Sequence, residues 1–456
     1  MKKKEDNKNQ VLFVLCLSAF FVPFMGSAIN LSLPQISSTY SLGAVSQSWI
    51  AASYLIATAI LQVPFARMGD LFGRRLLFIT GLSLFCISNI LCGIAPSGAW
   101  LIAFRALSGV GCAMIFGVNM AILVSSFPIQ ERGKAIGVNT AVVYFALAAG
   151  PFLGGLLTQH FGWQSLFFFV GFMSIIAVVY SFLALKTEWI EAKGERFDFA
   201  GSSIYSAGLF FLIFGFSKIP DFWGFIFILS GISAIMGFVF FELKTAFPVF
   251  DVRIFSGNKV FCLSNVSALI NYACTYAITF LMSLYLQYVR GFEPQTAGLI
   301  LIVQALVQCV ASLYSGILSD KTNPSLIATC GMALIAVGLV TLVFVTVATP
   351  LVLIILILVL FGLGFGLFSS PNSNVIISSV DKRYYGQASA TMGTMRLTGQ
   401  AFSMGIATMS ISLFVGNKEI ISDLFDKFMT SFHTCFLVFA VLCSIGVYTS
   451  MFRVKK

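Results

Sequence analysis

Long apolar runs, broken by short polar or charged clusters, recur along the whole chain, and their lengths are those of membrane-crossing helices. The breaks predict helices over 11–33, 45–65, 76–95, 99–123, 136–158, 164–184 and 200–217, then over 223–241, 262–286, 296–317, 325–346, 349–370, 388–414 and 431–452. Within hydrocarbon only a helix or a closed barrel satisfies its own backbone, and about 20 apolar residues suffice for a helix to cross. The expected fold is therefore an all-α membrane protein with 14 transmembrane helices and no sizeable soluble domain. The start, Met1 to Lys4 followed by Val11 to Phe24 and the small residues Gly26-Ser27-Ala28, has the outline of a signal peptide. Apolar character continues to Leu33, however, so this segment is expected to be the first span.

The polar positions inside these runs repeat. At a shift of 253 residues, Gly109 and Gly111 meet Gly362 and Gly364, Asn119 meets Asn372, Ser125-Ser126 meets Ser378-Ser379, and Gly133 meets Gly386. One constant offset across a helix, a loop and the next helix marks a duplication. The expectation is two pseudo-symmetric six-helix bundles, residues 1–185 and 260–456, with two inserted central helices in a linker over 186–259.

Composition agrees with this pattern: hydrophobic residues make up 58% of the chain and charged residues 10%, against roughly a quarter charged in soluble domains. The net charge of +10 is a topology signal rather than a nucleic-acid footprint. With the N-terminus inside, 21 of the 27 Lys and Arg fall on the inner side, four on the outer side, and Arg105 and Arg396 within spans. The positive-inside rule then places both termini in the cytoplasm, in a multi-pass protein of the plasma membrane. The ten cysteines lie in or beside apolar runs without CxxC spacing and read as packing residues, so no metal or other cofactor is expected. The expected partners are the lipid bilayer and a small-molecule substrate, with the chain a monomer.

Chemistry concentrates at few places. In Gly69-Asp70-Leu71-Phe72-Gly73-Arg74-Arg75 the glycines permit a tight reversal, and Asp70 is suited to accept N–H bonds at a helix N-terminus. Arg74 and Arg75 would stay at the inner surface, and a partial copy ends at Asp320. Such a cluster can latch helices that slide, a gating role; the plainer alternative is a topology anchor. Gly150-Pro151, followed by Gly154-Gly155, interrupts the hydrogen-bond ladder and lets backbones approach, so it is a candidate helix-bending motif. Arg105 lies about six residues, roughly 10 Å, into its span, and Arg396 is comparably deep from the other side. Charge at such depth faces a wet cavity or a partner.

All seventeen Asp and Glu fall in loops or at span ends, so no span carries a central carboxylate. Two intramembrane guanidinium groups without an anion give a path of positive potential, suited to neutral or anionic amphiphiles. Candidates for lining it are Asn30, Tyr54, Asn119 and Tyr144 in the first half, and Asn271, Tyr272, Gln304, Asn372 and Gln400 in the second. Ser27, Gln47, Gln62, Tyr276 and Gln308 are further polar positions within spans, whereas the 49 phenylalanines single out nothing.

The segment Gly69 to Arg75 resembles the signature between the second and third helices of the major facilitator superfamily. Leu101, Arg105, Gly109 and Gly111 are similar to its fourth-helix motif, and Gly150-Pro151-Phe152-Leu153-Gly154-Gly155 resembles the fifth-helix motif of its antiporters. The inserted pair points to the fourteen-span drug:proton antiporter (multidrug efflux) family. This resemblance implies alternating access and a proton as coupling ion. Nine positions before Pro34, where that family commonly has an acidic residue, this chain has Met25. The Walker pattern is absent, and two distant histidines without a buried acid do not make an enzyme site. The expected function is secondary active export of small amphipathic organic compounds. The alternative is import or exchange of a small organic anion or metabolite, without proton coupling through a buried carboxylate.

Overall fold

The computed structural model describes residues 8–380 and 385–452; a few side chains within helices, Asp320 among them, lie outside the described residues. The first six helices are α1 (Lys8–Tyr40), α2 (Ala44–Phe72), α3 (Arg74–Gly93), α4 (Gly98–Ser126), α5 (Ile129–Phe161) and α6 (Trp163–Ala184). A pair follows, α7 (Phe199–Lys218) and α8 (Phe222–Glu242), then the single turn α9 (Arg253–Ser256). The last six are α10 (Lys259–Leu284), α11 (Pro294–Lys321), α12 (Pro324–Val343), α13 (Leu351–Ser378), α14 (Tyr385–Phe414) and α15 (Phe425–Met451). Among the described residues thirteen of these are long and apolar enough to cross a membrane. The remaining long helix, α14, is richer in polar residues, and its Gln400, Ser403, Thr408 and Ser410 are buried.

Several helices outrun the apolar segments that announce them. Helix α2 continues to Phe72 instead of ending near 65, and α13 runs to Ser378 instead of 370, each through a proline, Pro64 and Pro371. Likewise α1 passes Pro34. Hydropathy marks only the hydrocarbon crossing, while a helix extends as far as water or a neighbour satisfies its backbone. Proline inside a packed membrane helix is tolerated for the same reason.

The two sets of six helices pack alike. In the first, α1 lies against α5 and α6, α2 against α4, and α3 between α4 and α6; in the second, α10 lies against α14 and α15, α11 against α13, and α12 between α13 and α15. The repeated residues make equivalent contacts. A Cβ on Gly109 would overlap the Tyr54 carbonyl of α2, and one on Gly362 would sit 2.5 Å from the Gln304 carbonyl of α11. Gly111 approaches Phe85 N on α3, and Gly364 approaches Gly331 O on α12. The Asn119 amide donates to Leu15 O at 3.2 Å, tying α4 to α1, and the Asn372 amide donates to Ser264 O at 3.4 Å, tying α13 to α10.

The two sets meet where α5 crosses α11 and where α2 crosses α14. Helix α7 fills the groove beside the second crossing: Ser206 Oγ donates to Ile60 O of α2 at 2.8 Å, and Phe216 meets Phe402 of α14 edge-on at 6.4 Å. Helix α8 packs on α7 through glycines, Gly231 against Gly208 O and Gly224 against Gly215 O, and leaves most of its surface free. The fold is thus two pseudo-symmetric six-helix bundles with an inserted pair on one flank.

Because Gly111 and Gly364 occupy equivalent crossings, Gly111→Val and Gly364→Val should each overpack the core and cost about 1–3 kcal/mol. Thermal unfolding of the detergent-purified variants should show a lowered midpoint for both; an unchanged midpoint in either contradicts the equivalence.

Candidate functional site

A partly open cavity lies between the two halves. It is lined from α1, α2, α4 and α5 and from their counterparts α10, α11, α13 and α14; α3, α6, α7, α8, α12 and α15 contribute nothing to it. Of the residues predicted for a path, Asn30, Tyr54, Tyr144, Tyr272, Gln304 and Gln400 line it, as do Ser27, Tyr276 and Gln308. Asn119 and Asn372 are outside the lining, because each bonds a carbonyl of a neighbouring helix in its own half. Asn271 is fully buried on α10 and also outside the lining.

The wall hydroxyls are largely committed to backbone. Tyr54 donates to Val22 O at 3.0 Å, Ser27 to Leu147 O at 3.1 Å and Tyr276 to Gly26 O at 3.1 Å. The longer polar side chains are not. Among the described residues, Gln304, Gln308, Gln400 and Arg396 have no hydrogen bond or ion pair, and no Asp or Glu lines the cavity. Arg396 projects from α14 with its guanidinium 5.8 Å from the Phe116 ring centroid on α4. Phe116, one phenylalanine among 49, is a lining residue that sequence reasoning missed.

Arg105 does not line the cavity. Its side chain is fully buried behind Tyr54, 4.5 Å from that ring's centroid, and its Nε donates to Ile50 O at 3.1 Å. Both terminal nitrogens lack a partner among the described residues. The Tyr54 face, rather than a carboxylate, carries part of this charge's stabilisation.

One end of the cavity is closed by bonds between the halves. Gln159 Nε2 donates to Glu293 Oε2 at 2.5 Å, and Gln295 N donates to Gln159 Oε1 at 3.1 Å. Ala44 N reaches Lys418 O at 2.8 Å, Gln47 reaches the Tyr288 hydroxyl at 3.2 Å, and Ser283 Oγ reaches Asn30 O at 2.8 Å. The Gly150-Pro151 segment lies at this closure. Helix α5 continues through Pro151, Gly150 and Gly154 accept α1 at Ser27 and Ala28, and Gly155 abuts the Pro294 carbonyl of α11. Gly298 of α11 in turn abuts the Pro151 carbonyl, so small residues face one another at the crossing.

The Asp70 cluster lies at the opposite, basic end and is wired differently from the sequence expectation. Asp70 sits in the last turn of α2 and accepts from Arg74 at 2.7 Å instead of capping α3. The cap comes from the following linker: Glu188 accepts from Arg75 N at 2.8 Å and from Leu76 N at 3.2 Å. Gly73 has φ +122°, a conformation that favours glycine, and a Cβ there would displace the Glu188 carboxylate from the cap. The linker continues as a strap, Glu191 N and Ala192 N donating to Asp70 O, Arg75 to Leu185 O, and Glu195 pairing with Arg67. Asp320 lies in the last turn of α11, and its side chain lies outside the described residues.

Two like bundles around a shared cavity are an architecture suited to a membrane transporter. The Major Facilitator Superfamily model matches residues 15–404, and again 264–455, and the chain belongs to that family. Similar proteins include the riboflavin transporter RibZ of Clostridioides difficile, 26% identical with 98% of this chain and 97% of that protein covered. The tetracenomycin C resistance and export protein of Streptomyces glaucescens is 26% identical, covering 88% of this chain and 75% of its own. The multidrug resistance protein Stp of Mycobacterium tuberculosis is 27% identical with the same coverage. A bacterial homologue of the human lysosomal transporter Spinster, solved inward-facing and occupied, shares the fold with a TM-score of 0.66 at 18% identity, covering 98% of this chain and 96% of its own. These proteins are transporters, not enzymes.

Tyr54→Leu should remove the ring that faces Arg105 and cost about 0.5–2 kcal/mol, whereas Tyr54→Phe keeps the ring and should cost clearly less. Thermal unfolding of the two purified variants decides; equal losses would place the stabilisation in the hydroxyl instead.

Proposed function

We propose that this chain is a secondary active transporter that exports small amphipathic organic compounds across the plasma membrane by alternating access, with both termini cytoplasmic. The observation that carries this reading is the cavity itself, lined equally from two like halves and sealed by inter-half bonds at the end opposite the basic one. With the basic end cytoplasmic, this is an inward-facing state in which α5 and α11 form the outer gate. Gly69, Asp70, Gly73, Arg74 and Arg75 act at the inner end, where the strap between α6 and α7 must follow any movement of α2 against α3. The relatives named for drug resistance and export support the direction.

A second reading is import or exchange of a small organic anion or metabolite. Arg396, unopposed by any carboxylate of the lining, favours it, as does the likeness to a riboflavin transporter. In either reading proton coupling does not run through a cavity carboxylate, because the lining has none. One copy completes the cavity, so the proposed transport needs no residue from a second copy.

Counterflow in proteoliposomes tests the carrier reading, with riboflavin and tetracenomycin C as probes. Vesicles preloaded with unlabelled compound should take up the labelled compound transiently and saturably without an ion gradient; linear, non-saturable entry without counterflow contradicts a carrier. Gly155→Leu and Gly298→Leu should reduce counterflow at least about tenfold, because added side chains hold α5 and α11 apart at the outer gate.

A further inference from the structure

The cavity is unevenly polar. Its unspent hydrogen-bonding groups gather on the C-terminal half: Gln304 and Gln308 stand one turn apart on α11, and Arg396 and Gln400 one turn apart on α14. Residues four apart share a helix face, so each pair presents one edge to the cavity. The facing wall of the N-terminal half is mainly apolar or committed, with Phe116, Val143 and Leu147 exposed to the space and the Ser27 and Tyr54 hydroxyls already bonded to backbone. Asn30, nearer the closed end, adds one further amide, and Tyr144 of α5 one hydroxyl.

Charge is equally one-sided. The lining holds one guanidinium and no carboxylate, and Arg105 adds a second buried positive charge behind Tyr54. An unneutralised charge in a low-dielectric space is costly, and a ligand of opposite sign relieves that cost whereas one of like sign adds to it.

We infer that the cavity takes a monoanionic aromatic amphiphile, its anionic group on Arg396 with the α11 and α14 amides completing the polar edge, and its ring on the Phe116 wall. Arg396 is then the residue that sets charge preference. This deepens the transporter reading and rests on it.

Three matched probes test the inference: 2-naphthoate, 2-naphthamide and 2-naphthylmethylammonium, titrated by thermal stabilisation and equilibrium binding on the purified full-length protein at neutral pH. The carboxylate should bind at least about tenfold tighter than the amide, and the ammonium weakest. Arg396→Gln should weaken the carboxylate about 10–100-fold while leaving the amide within about threefold, and Arg396→Lys should restore part of the preference. Should Arg396→Gln fail to fold, the ranking on the unaltered protein decides alone. Ammonium first, or amide equal to carboxylate, overturns the inference and leaves the transporter reading standing. An Arg396→Gln protein that binds the amide normally and still prefers the carboxylate overturns it too. Failure of all three probes to bind contradicts the cavity as a binding site, and with it both readings.

Discussion

The two halves can enclose a cavity only if their backbones approach closely at one end, and that approach depends on the α5–α11 crossing. Gly155 against the Pro294 carbonyl and Gly298 against the Pro151 carbonyl leave no room for a Cβ on either side. Between helices already in lipid there is little hydrophobic gain from association, so close packing and a few hydrogen bonds hold the crossing together. The Gln159 side chain supplies those bonds just beyond it, donating to the Glu293 carboxylate and accepting from Gln295 N. In the proposed transport cycle this crossing is the outer gate.

The basic end is organised by charge instead. There the strap after α6 supplies Glu188 as the cap of α3 and backbone donors for Asp70, while Arg74 bridges Asp70 to Ser125 of α4 at 2.9 Å. Ionic and capping contacts at an aqueous surface exchange readily with water. Packing thus holds the two halves together at one end, and solvated charge holds the helices of the first half to the following linker at the other. The inserted pair lies on the flank, where α7 bonds to α2 and packs on α14, and α8 packs on α7.

The helices, their number and their duplication were legible in the sequence because hydrophobic length and a constant glycine and asparagine offset are direct consequences of lipid and of close packing. Gly109 and Gly362, or Asn119 and Asn372, hold equivalent places in space as they do in the repeat. The face of each helix was not legible. In a soluble bundle a polar stripe marks the outside, but here lipid and core are both apolar, so a polar residue can equally be an interhelical tie, as Asn119 is, or a cavity group, as Gln304 is. Phe116 was invisible for the same reason. That Glu188 rather than Asp70 caps α3 was not legible, because the cap comes from a linker that no local spacing connects to α3. Arg396 and Arg105, alike in sequence depth, differ in placement, one facing the cavity and the other walled off by Tyr54.

The central claim is that these two halves rock about the shared cavity, opening one end as the other closes. Double electron–electron resonance between spin labels placed across each end, at residues 159 and 295 and at residues 68 and 392, measures this directly in proteoliposomes. The account predicts two distance populations at each site that shift in opposite directions when a transported compound is added. A single fixed distance at both ends in vesicles that are demonstrably transporting contradicts it.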